Sequence, residues 1–221
     1  MPEKVLMSWS GGKDSAMALY EIQQKREYEV VSLLTTLTQD YDRVSMHGVR
    51  RVLLERQAES LNLPLEQMLI SKAASNEEYD SELQTMLEKF QKEGVSSVVF
   101  GDIFLEGIRK YRENNLSKVG MKAIFPLWGR NTAELARTFV DSGFKSIVTC
   151  VDPRTLSETF AGRMIDASFL AELPSDVDPC GENGEYHSFV FDGPIFKKKL
   201  SLTVEQIVLR NSFYFCELIP G

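Results

Sequence analysis

The stretch SWSGGKDS follows directly on the apolar run KVLM and combines two adjacent glycines with a lysine, an aspartate and three serines. Gly11 and Gly12 let backbone N–H groups approach an anion without a Cβ in the way. The helix predicted to follow points its positive end at the same place. Lys13 adds a point charge, and the hydroxyl groups of Ser10 and Ser15 add donors. These residues therefore predict a phosphate-binding loop.

Spacing excludes the two commonest phosphate motifs. A Walker A loop needs a glycine where this chain has Met7 and a serine or threonine where it has Asp14. The dinucleotide fingerprint G-x-G-x-x-G fails because only two glycines, next to each other, are present. The loop therefore belongs to neither of these two classes.

A second cluster of functional residue types lies at positions 178 to 188, DPCGENGEYHS. Two glycines let such a loop fold around a ligand, and a histidine among carboxylates is available for proton transfer near neutral pH. Aspartate, glycine, asparagine and proline also make ordinary turns, so on these residues alone both interpretations stay open. The candidates are Glu182, Asn183, Gly184, Glu185 and His187.

The elements that position these residues alternate between short apolar strands and helical patterns up to about Val151, which indicates βαβ units and a parallel sheet. The six predicted strands are Lys4 to Trp9, Glu29 to Leu37, Leu65 to Ile70, Ser96 to Gly101, Lys122 to Leu127 and Lys145 to Val151. Right-handed crossovers put the first loop at the carboxyl end of this doubly wound sheet. Gly101 and Asp102, at the end of the fourth strand, are expected to lie across the crevice from this loop.

The composition of the chain changes after Leu127, where stretches rich in glycine, proline and aspartate begin. We therefore expect an α/β nucleotide-binding domain at residues 1–128 and a smaller α+β substrate-binding subdomain at residues 129–221. The apolar strand predicted at residues 212–219 has two interpretations. It either pairs with a second copy in a homodimer or lies inside the subdomain.

Composition sets limits on location and partners. The 221 residues are 43% hydrophobic and 26% charged, and no window approaches 18 uncharged apolar residues, so a cytoplasmic protein without a membrane partner is expected. The formal charge of −7 argues against a broad nucleic-acid surface. The three cysteines are far apart and form no C-x-x-C pair, which predicts reduced thiols and no cysteine metal site.

The phosphate loop resembles the PP-loop, S-G-G-x-D-S, of the N-type ATP pyrophosphatases, which are similar in fold to other adenine nucleotide α-hydrolases. The resemblance implies ATP as cosubstrate, cleaved between its α and β phosphates. It also implies Mg²⁺ held largely by phosphate oxygens. The residues that would bind the leaving pyrophosphate are Ser10, Gly11, Gly12, Lys13, Asp14 and Ser15.

Five ordered motifs together resemble the diphthine–ammonia ligase family, and the likeness runs nearly end to end. They are SGGKDS, HGVR, FGDI, FPLWGR and CGENGEYHSFVFDGPIF. The resemblance implies a ligase in which ATP activates a substrate carboxylate as an acyl adenylate and ammonia displaces AMP. His47 would join Gly101 and Asp102 at the nucleotide, although a structural histidine is an equal interpretation. The implied catalytic residues are Lys13, Asp14, Glu182, Glu185 and His187.

One departure from the family pattern concerns the acceptor. Enzymes that make diphthamide resemble E-G-G-E-[FY]-E-[TS] in the last motif, whereas Asn183 and His187 resemble a bacterial branch for which cobalamin-related salvage has been suggested. Two further alternatives stay open: a PP-loop enzyme that modifies tRNA, with Cys180 as its possible thiol, and a nucleotide-binding sensor without turnover.

Overall fold

The computed structural model describes residues 1–40, 43–44 and 48–221. The first part of the chain contains β1 (Glu3–Ser8), α1 (Lys13–Gln23), β2 (Tyr28–Thr38), β3 (Arg43–Val44), α2 (Arg51–Leu61), β4 (Leu65–Ile70), α3 (Asn76–Lys92), β5 (Ser97–Val99), α4 (Glu106–Lys118) and β6 (Lys122–Ile124). The second part contains α5 (Thr132–Asp141), β7 (Lys145–Val151), a 3₁₀ turn (Glu158–Phe160), α6 (Ala167–Glu172), β8 (Tyr186–Asp192), β9 (Leu202–Arg210) and β10 (Phe213–Pro220).

The first sheet is parallel in the order β4-β2-β1-β5-β6, and β3 adds a short antiparallel pairing with the end of β2. The chain runs to one side of β1 for β2 and β4 and to the other side for β5 and β6. The strand order therefore reverses at β1, and ligands of open α/β sheets bind outside the carboxyl ends of the strands at such a point. The predicted doubly wound, mostly parallel sheet is confirmed.

Burial on both faces explains the apolar run of β1. Val5 and Met7 pack into one hydrophobic cluster and Leu6 into another, and all three are fully buried. Successive strand residues point to opposite faces, so an alternation of clusters along β1 means that both faces are covered. The strand is thus held rigidly where the phosphate loop begins.

The second sheet is antiparallel, in the order β8-β7-β10-β9. The expectation that β7 continues the parallel series is wrong, since β7 pairs antiparallel with β8 and with β10. Residues 146–151 are all buried, and a strand in the middle of either kind of sheet can carry such a run. β10 is an internal strand, which agrees with the second interpretation of residues 212–219. The homodimer stays a prediction.

The two sheets share one core, because a single hydrophobic cluster contains residues from both parts of the chain, among them Leu19, Leu54, Phe144 and Phe189. The division at residue 128 also stays a prediction. All three cysteines are free and buried. Among the described helices, none combines the length and the apolar character that crossing a membrane requires.

Candidate functional site

The phosphate loop has a backbone shape that requires glycine. Gly11 has φ +78°, and a Cβ there would lie 2.7 Å from both Gln57 Oε1 and Leu54 Cδ2. Gly12 is the N-cap of α1 and provides no capping side chain. The N–H groups at a helix start have no partner within the helix, so an anion can accept hydrogen bonds from them.

The hydroxyl groups of the loop hold it in this shape. Ser10 Oγ lies 3.2 Å from Ser15 Oγ and accepts a hydrogen bond from Gly12 N at 3.2 Å. Ser15 Oγ donates to Gly12 O at 2.9 Å. The backbone N–H of Lys13 donates to Ser188 Oγ at 3.2 Å, which ties the loop to β8 in the second sheet.

Lys13 is buried, with 4% of the residue exposed. Its Nζ contacts both carboxylate oxygens of Asp14 at 2.8 Å and donates to Cys180 O. It also lies 5.4 Å from the centre of the Tyr186 ring. Burial by itself lowers the pKa of Lys13, but Asp14, Tyr186 and Cys180 together outweigh that effect and the net shift is upward. The side chain therefore stays cationic across the working pH range.

Gly101 and Asp102 lie beside the start of α1. A Cβ on Gly101 would lie 2.8 Å from the carbonyl carbon of Asp14 and 2.9 Å from Ser15 N, so only glycine allows this approach. The Asp102 carboxylate pairs with Arg112, whose Nε lies 2.8 Å from Oδ2. The Arg112 guanidinium in turn lies 4.4 Å from the centre of the Phe100 ring. This pairing fixes the Asp102 carboxylate at the end of β5.

Glu182 links the second loop to the segment after β5. Its Oε1 accepts hydrogen bonds from Ile103 N at 2.8 Å and from Phe104 N at 3.5 Å. Burial raises the pKa of Glu182 to about 7, with a further contribution from the Asp14 carboxylate. Glu182 can therefore exchange a proton at neutral pH.

Glu185 lies behind the loop instead of facing the cleft. It is 4% exposed, and its Oε1 accepts hydrogen bonds from Asp178 N at 3.1 Å and from Asn183 Nδ2 at 2.9 Å. These bonds give the loop its shape and hold the exposed Asn183 side chain. Glu185 thus shapes the loop through hydrogen bonds and does not line the cleft.

His187 lies on β8 and faces the cleft. Burial lowers the pKa of His187 to about 4, and the charge of Lys13 adds to this effect. The imidazole is therefore neutral at pH 7. A neutral imidazole donates through one nitrogen and accepts through the other.

A cleft of about 1450 Å³ brings the two predicted clusters together. Pockets for single small ligands usually measure about 300–1,000 Å³, so this one has room for a nucleotide and an acceptor. Gly11, Asn183 and Glu185 do not line its wall, and His47 lies outside the described residues. The predicted residues that line the wall are Ser10, Gly12, Lys13, Asp14, Ser15, Gly101, Asp102, Glu182, Gly184 and His187.

Metal ligands do not cluster in this cleft. Within residues 1–40, 43–44 and 48–221, no three histidine, cysteine or carboxylate side chains come together in a group that could hold a metal ion. A divalent cation here would take few protein ligands, which is the usual arrangement for Mg²⁺ on phosphates.

Gln57 on α2 is a site residue that the sequence interpretation missed. Its amide is fully buried, accepts from Trp9 Nε1 at 2.9 Å and donates to Gly11 O at 3.0 Å and to Val190 O at 2.6 Å. Its hydrogen bonds therefore connect the phosphate loop to β8. The signal was available, since Gln57 is a polar residue within the apolar stripe of α2 that includes Leu54 and Leu61.

We expect Gln57→Leu to lower the free energy of unfolding by roughly 2–4 kcal/mol, because the indole N–H of Trp9 and the carbonyl of Val190 lose a buried partner. Urea unfolding measures this change. Gln84→Leu is the control, since Gln84 makes an exposed hydrogen bond to Glu88, and its effect should stay within about 0.5 kcal/mol. Equal losses in the two variants would contradict the role of Gln57.

Comparisons with known proteins agree on one family. The family model for the diphthamide synthase N-terminal domain matches residues 3–123, and that for the diphthamide synthase C-terminal domain matches residues 131–218. The chain is similar to proteins named diphthine–ammonia ligase from several organisms. It is 28% identical to the one from Schizosaccharomyces pombe over 97% of this chain and 38% of that protein.

Two other relatives carry the same name. The chain is 29% identical to the Homo sapiens protein over 57% of this chain and 49% of that protein. It is 26% identical to the Danio rerio protein over 93% of this chain and 89% of that protein. The match therefore spans about two fifths of the fission yeast relative, half of the human relative and most of the zebrafish relative.

Proposed function

The chain belongs to the diphthamide synthase family, and on that premise we propose that it is an ATP-dependent carbon–nitrogen ligase. It adenylates a substrate carboxylate with release of pyrophosphate, and ammonia then displaces AMP to leave an amide. The observation that carries this proposal is the single cleft shared by the phosphate loop and Glu182, whose pKa is about 7.

The phosphate loop suits ATP. Its helix begins at a glycine without a capping side chain. The N–H groups of Gly12 and Lys13 donate to serine hydroxyl groups, so a phosphate would accept hydrogen bonds from the N–H groups that follow in the first turn. Lys13 adds a buried positive charge at the same place. We assign Ser10, Gly12, Lys13, Asp14 and Ser15 to the pyrophosphate part and Gly101 and Asp102 to the rest of the nucleotide. Mg²⁺, held mainly by phosphate oxygens, would neutralise the leaving group.

Glu182 is our candidate for the base that activates ammonia. Ammonium must lose a proton before it can attack, and a carboxylate with a pKa near the working pH is suited to take that proton. His187, with a pKa of about 4, is too weak a base for the same task at pH 7. We assign His187 to hydrogen bonding with the acceptor carboxylate, and Glu185 and Asn183 to shaping the loop.

The two parts of the chain have different proposed roles. We propose that residues 1–128 bind ATP and that residues 129–221 bind the acceptor and supply Glu182. The relatives are named for diphthine, so a diphthine-like acceptor is one possibility for this chain, and a small acid is the other. Three free cysteines suit the reducing cytoplasm, where we place the protein.

A thiol mechanism of the kind used in tRNA thiolation has less support. Burial raises the pKa of Cys180 to about 12, and its Sγ donates to Thr132 O at 3.3 Å. A thiol that stays protonated at neutral pH is a poor nucleophile. The ligase proposal assigns a role to more of the side chains that line the cleft than a thiol mechanism does.

The products formed from ATP distinguish a ligase from a nucleotide-binding sensor. We expect AMP and pyrophosphate to form when the chain is incubated with ATP, Mg²⁺, an ammonium salt and a panel of carboxylates. The panel includes elongation factor carrying diphthine and cobalamin-pathway acids, and chromatography measures the products. Formation of ADP and phosphate with the acceptor would refute the proposal. A chain that binds ATP and converts none of it with any acceptor would favour a sensor.

A further inference from the structure

Three arginines converge on one buried carboxylate beside the cleft, and we call Arg43, Arg50 and Arg210 the arginine rim. Their common partner is Glu217 on β10, whose side chain is 3% exposed. Arg43 Nη2 lies 2.7 Å from Glu217 Oε2, Arg210 Nη2 lies 2.6 Å from Oε1, and Arg50 Nη2 lies 3.5 Å from Oε2.

The rim has more donors than Glu217 can accept. Each guanidinium carries five N–H donors, and one carboxylate offers about four acceptor positions. Arg43 also donates a hydrogen bond from Nη1 to Gly48 O at 2.6 Å. In the part of the chain that the structure describes, the ion pairs of the rim contain three positive charges and one negative charge. The remaining donors of Arg43 and Arg210, whose side chains are partly exposed, could bind an anion.

A comparison within the molecule indicates that neutralising a buried carboxylate does not need three arginines. Asp152 is 5% exposed and is satisfied by Arg154 alone, through Nε at 2.9 and 3.0 Å and Nη2 at 2.6 Å. Glu217 is buried to a similar extent. Its second and third arginines therefore call for another explanation.

The position of the rim supplies that explanation. Arg43 and Arg210 line the cleft, together with Asn211 and Phe213. Arg210 is held there by a two-residue turn, in which it pairs with Phe213 across Asn211 and Ser212, at φ 48° and 68°. Among the described side chains on the cleft wall, five are cationic and three are carboxylates, although the whole chain carries −7. The wall of the cleft therefore carries more positive than negative side chains, opposite to the chain as a whole.

We propose that Arg43 and Arg210 form a second anion-binding subsite, which holds a carboxylate or phosphate group of the acceptor other than the carboxyl group that is adenylated. The inference rests on the proposed function and narrows its acceptor to molecules with at least two anionic groups. Planar, bidentate binding by arginine suits both carboxylate and phosphate. Glu217 holds the two guanidinium groups in place, and Arg50 pairs with the same carboxylate.

The test titrates the full chain with inorganic phosphate and, separately, with glutarate. The nucleotide position is first saturated with α,β-methylene-ATP, ionic strength is constant, and amide chemical shifts report binding. We expect both anions to perturb amides around Arg210, and Arg210→Gln to weaken their binding roughly tenfold to a hundredfold. Arg43→Gln should act in the same direction. Arg154→Gln is the matched control, because it also removes an exposed arginine from a buried carboxylate.

The outcomes separate the inference from the function on which it rests. Unchanged anion binding in Arg210→Gln, or an equal loss in Arg154→Gln, would overturn the subsite. Weaker binding of α,β-methylene-ATP, with phosphate and glutarate unaffected, would also overturn it, since the rim would then bind the triphosphate. If the wild-type chain binds the anions at Arg210 but never forms AMP, the ligase proposal fails and the subsite stands. Phosphate and glutarate distinguish the two kinds of acceptor group.

Discussion

Replacing Lys13 by alanine is expected to lower turnover by about 100- to 1,000-fold, the usual cost of removing one group that stabilises charge in a transition state. In the proposed reaction, negative charge grows on the pyrophosphate as the α–β bond breaks. The Lys13 ammonium is buried and remains charged at neutral pH. In such surroundings its attraction for a developing charge is stronger than in water.

Binding of AMP should change much less than turnover in the same variant, by less than about tenfold. AMP lacks the β and γ phosphates, so it has no group at the place that we assign to Lys13. Calorimetry with AMP and a pyrophosphate release assay measure the two quantities. An equal loss of AMP binding and turnover would show that Lys13 does not act on the leaving group.

Two further variants control for folding and for general loss of charge. Lys13→Met keeps most of the side-chain volume and removes the charge, so it should match Lys13→Ala in turnover while retaining more stability. Lys198→Ala removes an exposed lysine that pairs with Glu59, and its turnover should equal that of the wild type. Thermal unfolding shows whether the Lys13 variants remain folded.

Motif spacing was sufficient to predict a loop between the first strand and the first helix, because such a turn depends on consecutive residues. Gly11 and Gly12 shape the local backbone at one helix start, and the sequence contains that information. The same holds for the parallel sheet up to β6, where apolar runs alternate with helical patterns at regular intervals.

Contacts between residues that are far apart in the sequence could not be predicted from local motifs. Nothing in the local pattern distinguishes Glu182, which faces the cleft, from Glu185, which lies behind the loop. Gly181 and Gly184, at φ 64° and 88°, reverse the chain between them and decide which carboxylate points inward. The position of Gln57 beneath Gly11 and the convergence of Arg43 on Glu217 likewise depend on tertiary packing across more than 40 residues.

The second large effect is expected for Glu182→Gln, which should lower amide formation about 100-fold at pH 8, the lower end of the range for losing a general base. Glutamine can still accept the hydrogen bond from Ile103 N, so the loop keeps its shape. The first half-reaction needs no deprotonation of ammonium. Exchange of labelled pyrophosphate into ATP, measured with the acceptor and without ammonium, should therefore persist in the variant.

The pH dependence gives a sharper signature of the same role. Since the pKa of Glu182 is about 7, the wild-type rate should rise through that pH as the carboxylate loses its proton. The ratio of wild-type to Glu182→Gln rates at each pH removes the ammonium equilibrium, which is common to both proteins. That ratio should increase from pH 6 to pH 8 and then level off.

Stability should respond to pH with a defined sign. The folded state raises the pKa of Glu182 from 4.5 to about 7, so it favours the protonated carboxyl group. The resulting stabilisation is complete below pH 4.5 and is lost as the pH rises through 7. Urea unfolding should therefore show Glu182→Gln gaining stability relative to the wild type between pH 5 and pH 8.5.

Glu185→Gln provides the matched control, because it changes the other glutamate of the same loop in the same way. Its carboxylate faces Asp178 N and Asn183 Nδ2 instead of the cleft. This variant should therefore keep the rise in rate through pH 7, whatever its effect on acceptor affinity. If Glu185→Gln loses that rise and Glu182→Gln keeps it, the base that activates ammonia is not Glu182, and buried Glu185 must reach the cleft when the acceptor binds.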